Sequence, residues 1–245
     1  TLEWLGEHAP RKSRLEVKVV DVTQAQGEIE LLGPGSAAIL ERLIFGQPLN
    51  LDPGFATVAT LDQARCLVIR RLGDVYDIIT GMVYIQPIWE KIIEVARAAG
   101  SRPVGFAARE ILRLESGFPQ YGLEIDEDTT PLEIGQSSAV DFRKTQFIGR
   151  RALMHSVSAE FQRQMVALRI DMERPLEMEA EILADSFPAG RVTSFAISPM
   201  LRCKLALGFL TAAKAKPGTP VTLMNKDGQA YRGEIIKPGL APAGR

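Results

Sequence analysis

The stretch Gly105-Phe-Ala-Ala-Arg-Glu-Ile-Leu-Arg-Leu-Glu-Ser-Gly-Phe-Pro-Gln-Tyr-Gly-Leu-Glu-Ile-Asp-Glu127 reads as a helix, an abrupt stop and an acidic loop. On a wheel of about 100° per residue, Val104, Ala108, Ile111 and Leu112 make one apolar face, and Arg109, Glu110 and Arg113 fall on the other side. Glu115 falls near the line of Ala108 and Ile111, so it is expected to point at the core. A carboxylate there is costly unless something pairs with it. Ser116-Gly117, with Pro119 just beyond, stops the helix. Glu115 is therefore expected at the mouth of a cavity, one residue from a turn. Two roles stay open for it: a ligand-facing carboxylate, or an internal pair with an arginine such as Arg113 or Arg143. Glu124, Asp126, Glu127 and Asp128 read as a solvated charge run.

Upstream, Leu15–Thr23 alternates like a strand, and Glu28–Leu32 reads as a second. Gly33-Pro34-Gly35 stops it and Ser36 caps a helix reaching Ile44. That turn lacks a P-loop Lys-Ser/Thr and a GxGxxG pattern, so it is read as a strand-to-helix connection. Phe55–Leu61 and Ala64–Arg71 flank a hairpin turn at Asp62-Gln63, and Val75–Thr80 follows another turn at Gly73-Asp74. Gln86–Gly100 reads as an amphipathic helix with Pro87 in its first turn. Before these elements, residues 1–14 read as a short helix broken at Pro10, then a basic loop. The order predicts an α+β fold, with helices on one face of an antiparallel sheet, and not a doubly wound parallel sheet.

Beyond a crossover helix starting near Phe147, six short strands are separated by turn signals at Pro188, Pro199, Lys216-Pro-Gly218, Lys226-Asp-Gly228 and Pro238. They predict a small β-barrel or jelly roll. The expected domains are 1–140 (α+β), a crossover at 141–160, and 161–245 (barrel).

Composition narrows the function classes. Hydrophobic content of 46%, charged content of 24% and a net charge of −1 describe a globular chain with no whole-chain electrostatic case for nucleic acid. Two cysteines, Cys66 and Cys203, have no metal-type spacing and suggest free thiols in a reducing compartment. The two histidines, His8 and His155, give little support to a histidine metal site or a Ser/His/Asp triad. No metal ligands are expected. No apolar run approaches the roughly 20 residues of a membrane span, and a cytoplasmic location is expected.

Four motifs in order resemble the aminomethyltransferase family, the T protein of the glycine cleavage system and related folate-binding domains. They are Leu32-Gly-Pro with Ser36 and Leu40; Arg113-Leu-Glu-Ser-Gly with Tyr121-Gly-x-Glu-Ile-Asp-Glu127 and Thr130-Pro131; Lys144-Thr-Gln-Phe-Ile-Gly-Arg-Arg-Ala-Leu153; and Val192-Thr-Ser194 with Ser198-Pro199 and Leu205-Ala-Leu-Gly208. The resemblance covers about residues 15–240. It implies a ferredoxin-like half of the folate-binding fold joined to a C-terminal barrel. It also implies that tetrahydrofolate accepts a one-carbon unit from an aminomethyl or methyl donor, for instance one carried by a lipoyl protein. By the same resemblance Glu115 holds the pterin ring, Lys144 with Arg143 beside it meets the glutamyl tail, and Tyr121 lines the pocket.

Departures from the family pattern qualify these expectations. The match begins in what would be the second subdomain, so the catalytic Asp is expected in a segment upstream of Thr1, and no catalytic residue is assigned within the chain. Arg70-Arg-Leu-Gly-Asp-Val-Tyr-Asp77 is shorter than the family's R-x-G-Y-T-G-E loop, and Phe195 replaces a usual Gly. The crossover lacks the cysteine motif of the iron–sulfur-assembly branch. The alternative reading is a non-catalytic folate-binding or assembly protein, or a subunit of a sarcosine-oxidase-like complex.

Overall fold

The structure is a computed structural model that describes residues 2–8, 17–44, 49–71, 73–158, 163–171 and 176–239. The described part of the chain divides after Pro103 into two units. Helix α4 and the acidic loop, grouped with the sheet in the sequence reading, thus fall in the unit that holds the barrel.

In the first unit, strands β1 (Gln26–Leu32), β2 (Ala56–Leu61), β3 (Ala64–Arg70) and β4 (Val75–Gly81) form an antiparallel sheet in the order β1-β4-β3-β2. Alternation fixes its inner face. Ile29, Val68, Tyr76 and Ile78 point to one side and pack on Ile39 and Leu40 of α2 (Ser36–Glu41) and on Ile88, Ile92 and Ala96 of α3 (Met82–Ala98). Each buried Val, Leu or Ile side chain of this set stabilises the fold by about 1.5–3 kcal/mol. This is the expected α+β arrangement, with both helices on one face. Asp62, at φ 53°, makes the expected β2–β3 turn. After β3, Arg71 reaches back to the buried carboxylate of Asp77 and, at 3.5 Å, to Glu28. A short helix, α1 (Leu2–His8), precedes the sheet. The break expected at Pro10, the basic loop to Arg14 and the first residues of the strand expected from Leu15 lie outside the described residues.

Two local expectations are corrected. Residues 17–22 form no strand, and Val17, Val19, Val20 and Val22 are exposed. Alternation signals a strand only where a neighbour supplies the ladder; here Ala25 and Gln26 donate back to the Val22 carbonyl, and the chain turns into β1. Helix α3 also starts four residues early, directly out of β4 at Gly81, which places Pro87 inside the helix. Its missing N–H leaves the Val83 carbonyl without that intrahelical donor, and Val83 is 79% exposed, where water can satisfy it.

In the second unit, α4 (Phe106–Ser116) and α5 (Arg150–Ser158) precede six strands: β5 (Arg163–Asp171), β6 (Glu181–Ala184), β7 (Phe187–Ser198), β8 (Cys203–Thr211), β9 (Pro220–Met224) and β10 (Ala230–Ile236). They close in the order β10-β5-β8-β7-β6-β9, all antiparallel. Leu168, Ile170, Ile182, Val192, Leu210, Leu223 and Ile235 fill the interior, and Phe195 packs against it. Pro188 is not a turn residue; it sits on β7 opposite Leu183, and Asp185 and Ser186, both at positive φ, make the hairpin. Two glycines allow closure. A Cβ on Gly190 would lie 1.8 Å from the Phe209 carbonyl oxygen, and one on Gly208 would lie 2.5 Å from that of Arg191. No helix among the described residues is long and apolar enough to cross a membrane.

Outside the barrel, the loop before α5 is pinned by Glu133. It accepts from the Thr130 N–H at 2.7 Å, the Thr130 hydroxyl at 2.9 Å and Arg163 Nε at 2.7 Å. Burial pushes the Glu133 carboxyl up, but Thr130 and the Arg163 guanidinium outweigh it and hold the group below its ordinary 4.5. A depressed folded value means the stabilisation is present above the unfolded value and is lost as pH falls through the folded one.

Two measurements follow from these contacts. Gly190→Ala is expected to destabilise the protein by about 1–3 kcal/mol or to prevent folding, read by urea unfolding; an unchanged midpoint would refute the close approach at β8. Glu133→Gln is expected to cost about 1–3 kcal/mol near pH 7, with the gap to the parent closing as pH falls below about 4. Unfolding titrations on both sides of that pH check the sign.

Candidate functional site

The site is built around the last turn of α4. Gly117, at φ 70°, ends the helix: its N–H donates to Leu114, and the Phe118 N–H donates to Arg113 at 3.0 Å. This is the Schellman arrangement, which needs a left-handed residue at that position. A Cβ on Gly117 would also lie 2.6 Å from Pro238. The helix's buried residues, Leu114 and Glu115, lie in this turn, with Ile111 half-buried before it. Leu114 is buried with Ala167 and Leu207 on the outside of β5 and β8, whereas Phe106 is 89% exposed and Val104, Ala108 and Leu112 are exposed. The apolar face expected from the wheel is therefore not the buried one. What decides is the neighbour that α4 touches, the β7–β8 surface, with Leu114 and Glu115 its buried residues.

Two carboxylates, Glu115 at 3% exposure and Glu124 at 1%, are buried there. Glu124 was expected in a solvated run, and it is instead among the least exposed side chains described. Its Oε2 accepts from Arg113 Nη1 at 2.9 Å and from the Gln120 N–H at 3.0 Å. Its Oε1 accepts from the Thr193 hydroxyl at 2.7 Å and the Ser194 hydroxyl at 2.6 Å. Adjacent residues of a regular strand point to opposite faces. Here the β7–β8 register shifts between Val192 and Ser194, and this bulge lets both hydroxyls reach one oxygen. Arg113 also binds Glu110 and donates to the Phe118 carbonyl at 2.7 Å. Burial opposes the charge on Arg113, but Glu110 and Glu124 outweigh it and raise its pKa.

Glu115 pairs with no arginine among the described residues. Arg113 is engaged as described, and Arg143 binds Asp141 at 2.9 Å. The partner of Glu115 is Ser198, buried at the end of β7, whose hydroxyl donates to Oε1. Ser198 Oγ in turn accepts from the Leu201 N–H at 2.9 Å. Oε2 has no hydrogen bond among the described residues, yet it is not one of the fully occluded unpaired atoms, which are Ser36 Oγ, Arg70 Nε and Asp77 Oδ1. Cys203, directly opposite Ser198, is a free thiol whose pKa burial pushes up; Arg169 opposes this, and Asp171 and Glu115 add to it.

The other residues singled out in the sequence lie at the surface. Tyr121 is 69% exposed, on a turn bridged to Ile125. Arg143 and Lys144 are exposed on the loop before α5, where Arg150 Nε donates to the Lys144 carbonyl at 2.9 Å. A cavity of about 370 Å³ opens at the helix end, lined by Ser116, Gly117, Met165, Ile235 and Pro238 among others. Glu115 does not line it. No group of His, Cys, Asp or Glu among the described residues could hold a metal ion.

The chain matches two families end to end: the GCVT N-terminal domain over residues 1–144 and the glycine cleavage T-protein C-terminal barrel domain over residues 163–240. It belongs to the glycine cleavage T-protein family. Among its relatives, an aminomethyltransferase from Halothermothrix orenii is 32% identical over 96% of this chain and 65% of its own length. Another, from Thermoanaerobacter pseudethanolicus, is 30% identical over 91% of this chain and 61% of its own. The chain thus spans less than two thirds of these relatives. The crystal structure of the glycine cleavage system aminomethyltransferase T from Bartonella henselae shares the fold, with a TM-score of 0.56 at 17% identity over 89% of this chain and 85% of that one.

Glu124→Ala leaves Gln120, Thr193 and Ser194 without their acceptor while Arg113 keeps Glu110, and is expected to cost about 1–3 kcal/mol, with Thr193→Ala costing less. A Glu124→Ala protein that melts with the parent would show that Arg113 is not anchored through it.

Proposed function

We propose that this chain carries the pterin-binding part of a tetrahydrofolate-dependent one-carbon transferase of the aminomethyltransferase type. One observation carries the reading: Glu115 is a buried carboxylate with Oε1 held by Ser198 and Oε2 without a hydrogen bond among the described residues. A carboxylate in that state accepts paired donors, and the 2-amino-pyrimidinone edge of a pterin presents such donors. Lys144 would meet the anionic glutamyl tail, with Arg143 contributing less because Asp141 already neutralises it. The exposed ring of Tyr121 would cover the ligand.

With an aminomethyl group on a lipoyl sulfur as donor, folate N5 and N10 take the methylene carbon. The C–S and C–N bonds break, and the dihydrolipoyl thiol and ammonia leave. The group assisting the attack is not assigned to a residue of this chain. A non-catalytic folate-binding subunit, as in a sarcosine-oxidase-like complex, is the second reading. It is favoured by the short Arg70–Asp77 turn, in which Arg71 is spent on Asp77.

Titration calorimetry with tetrahydrofolate tests the shared premise. The protein is expected to bind it, and Glu115→Ala to weaken binding by about 1–3 kcal/mol while staying folded. Absence of binding in the parent refutes both readings. Binding without ammonia release from an aminomethyl-lipoyl carrier favours the second.

A further inference from the structure

We propose that Ser198 is the positioning residue that makes the Glu115 site selective for a ring edge with two donors; this rests on the pterin-facing reading of Glu115. Three observations fix the geometry. Ser198 is 1% exposed, so water does not compete for its hydroxyl. The Leu201 N–H occupies an acceptor side of Oγ at 2.9 Å, as the chain turns between β7 and β8. The single hydroxyl proton is thereby left to Glu115 Oε1.

The consequence lies in what remains available. A hydroxyl that can donate once takes one lone pair of Oε1 and fixes the plane of the carboxylate, leaving the whole of Oε2 and one lone pair of Oε1. An arriving ligand must therefore bring donors, and two parallel ones fit best, as in an amino group beside a ring N–H. A ligand edge with an acceptor at either place would face an oxygen with no proton to offer. Ser198 touches no ligand in this arrangement; it acts through Glu115. Its hold is local, since it ends the same strand whose Thr193 and Ser194 are held by Glu124.

The test compares two probes by calorimetry on the full chain: tetrahydrofolate and its 2-desamino-2-methyl analogue, which lacks the exocyclic donor. Ser198→Ala is expected to weaken tetrahydrofolate about 3–10-fold and the analogue hardly at all, so that the parent's preference for the 2-amino ring collapses. Ser198→Cys, close in shape but a weak donor, is expected to fall between and carries the same comparison should Ser198→Ala not fold. If both probes weaken equally in the variants, or neither does, Ser198 has only a structural part and the inference is overturned while pterin binding stands. If the parent binds neither probe, the reading of Glu115 fails and this inference with it.

Discussion

The carboxylate of Glu124 is the constraint on which the barrel unit's outer layer depends. It is buried with charge on it, and such a group survives only if its acceptors are filled. Four donors fill them: one from α4, one backbone amide of the acidic loop, and two hydroxyls of β7. The end of α4, the loop that follows it and the distant strand β7 are thus tied to one group. Surface pairs such as Lys91–Glu94 and Arg169–Glu234 do not compare, because solvent screens them and holding the side chains costs entropy.

Strand β7 supplies hydroxyl partners to both of these buried carboxylates, and its irregularity makes this possible. A regular strand from Val192 to Ser198 would send Thr193 and Ser194 to opposite faces. The bulge brings both toward Glu124, and four residues later Ser198 meets Glu115. The helix turn is fixed from the other side by the close approach of Gly117 to Pro238. Position along α4 then assigns the roles: Leu114 enters the apolar patch on β5 and β8, and Glu115, the next residue round, falls against the end of β7. Its burial was legible from the sequence, but for a different reason than the wheel offered.

The sequence showed the sheet, the helices on one face and the barrel, because alternation and turn residues are local signals. It failed where a neighbour decides. Val17–Val22 alternates without a ladder, and the apolar stripe of α4 near its start stays exposed. Glu124 was hidden among acidic residues. Nothing in an acidic run marks one member as buried until Arg113, Thr193 and Ser194 are known to converge on it, across 11, 69 and 70 residues. The nearest cue was the pair of consecutive hydroxyls in Val192-Thr-Ser194, which a strand interior seldom has reason to carry. Ser198 likewise stood beside Pro199 as a turn residue, with no sign of its partner 83 residues away.

The choice of a hydroxyl for Glu115 and an arginine for Glu124 separates two uses of the same side chain. Arg113 brings its own charge to Oε2 of Glu124, and the Thr193 and Ser194 hydroxyls take Oε1, so the pairing is complete and inert. That suits Glu124, where every acceptor is taken inside the fold. A serine supplies one proton and no charge. It offsets part of the burial cost of Glu115 and leaves Oε2 without a hydrogen bond among the described residues. Had an arginine filled that place, the carboxylate would be better paired and useless for recognition. On the proposed pterin-facing reading, that incomplete pairing is what the Glu115 site offers a ligand.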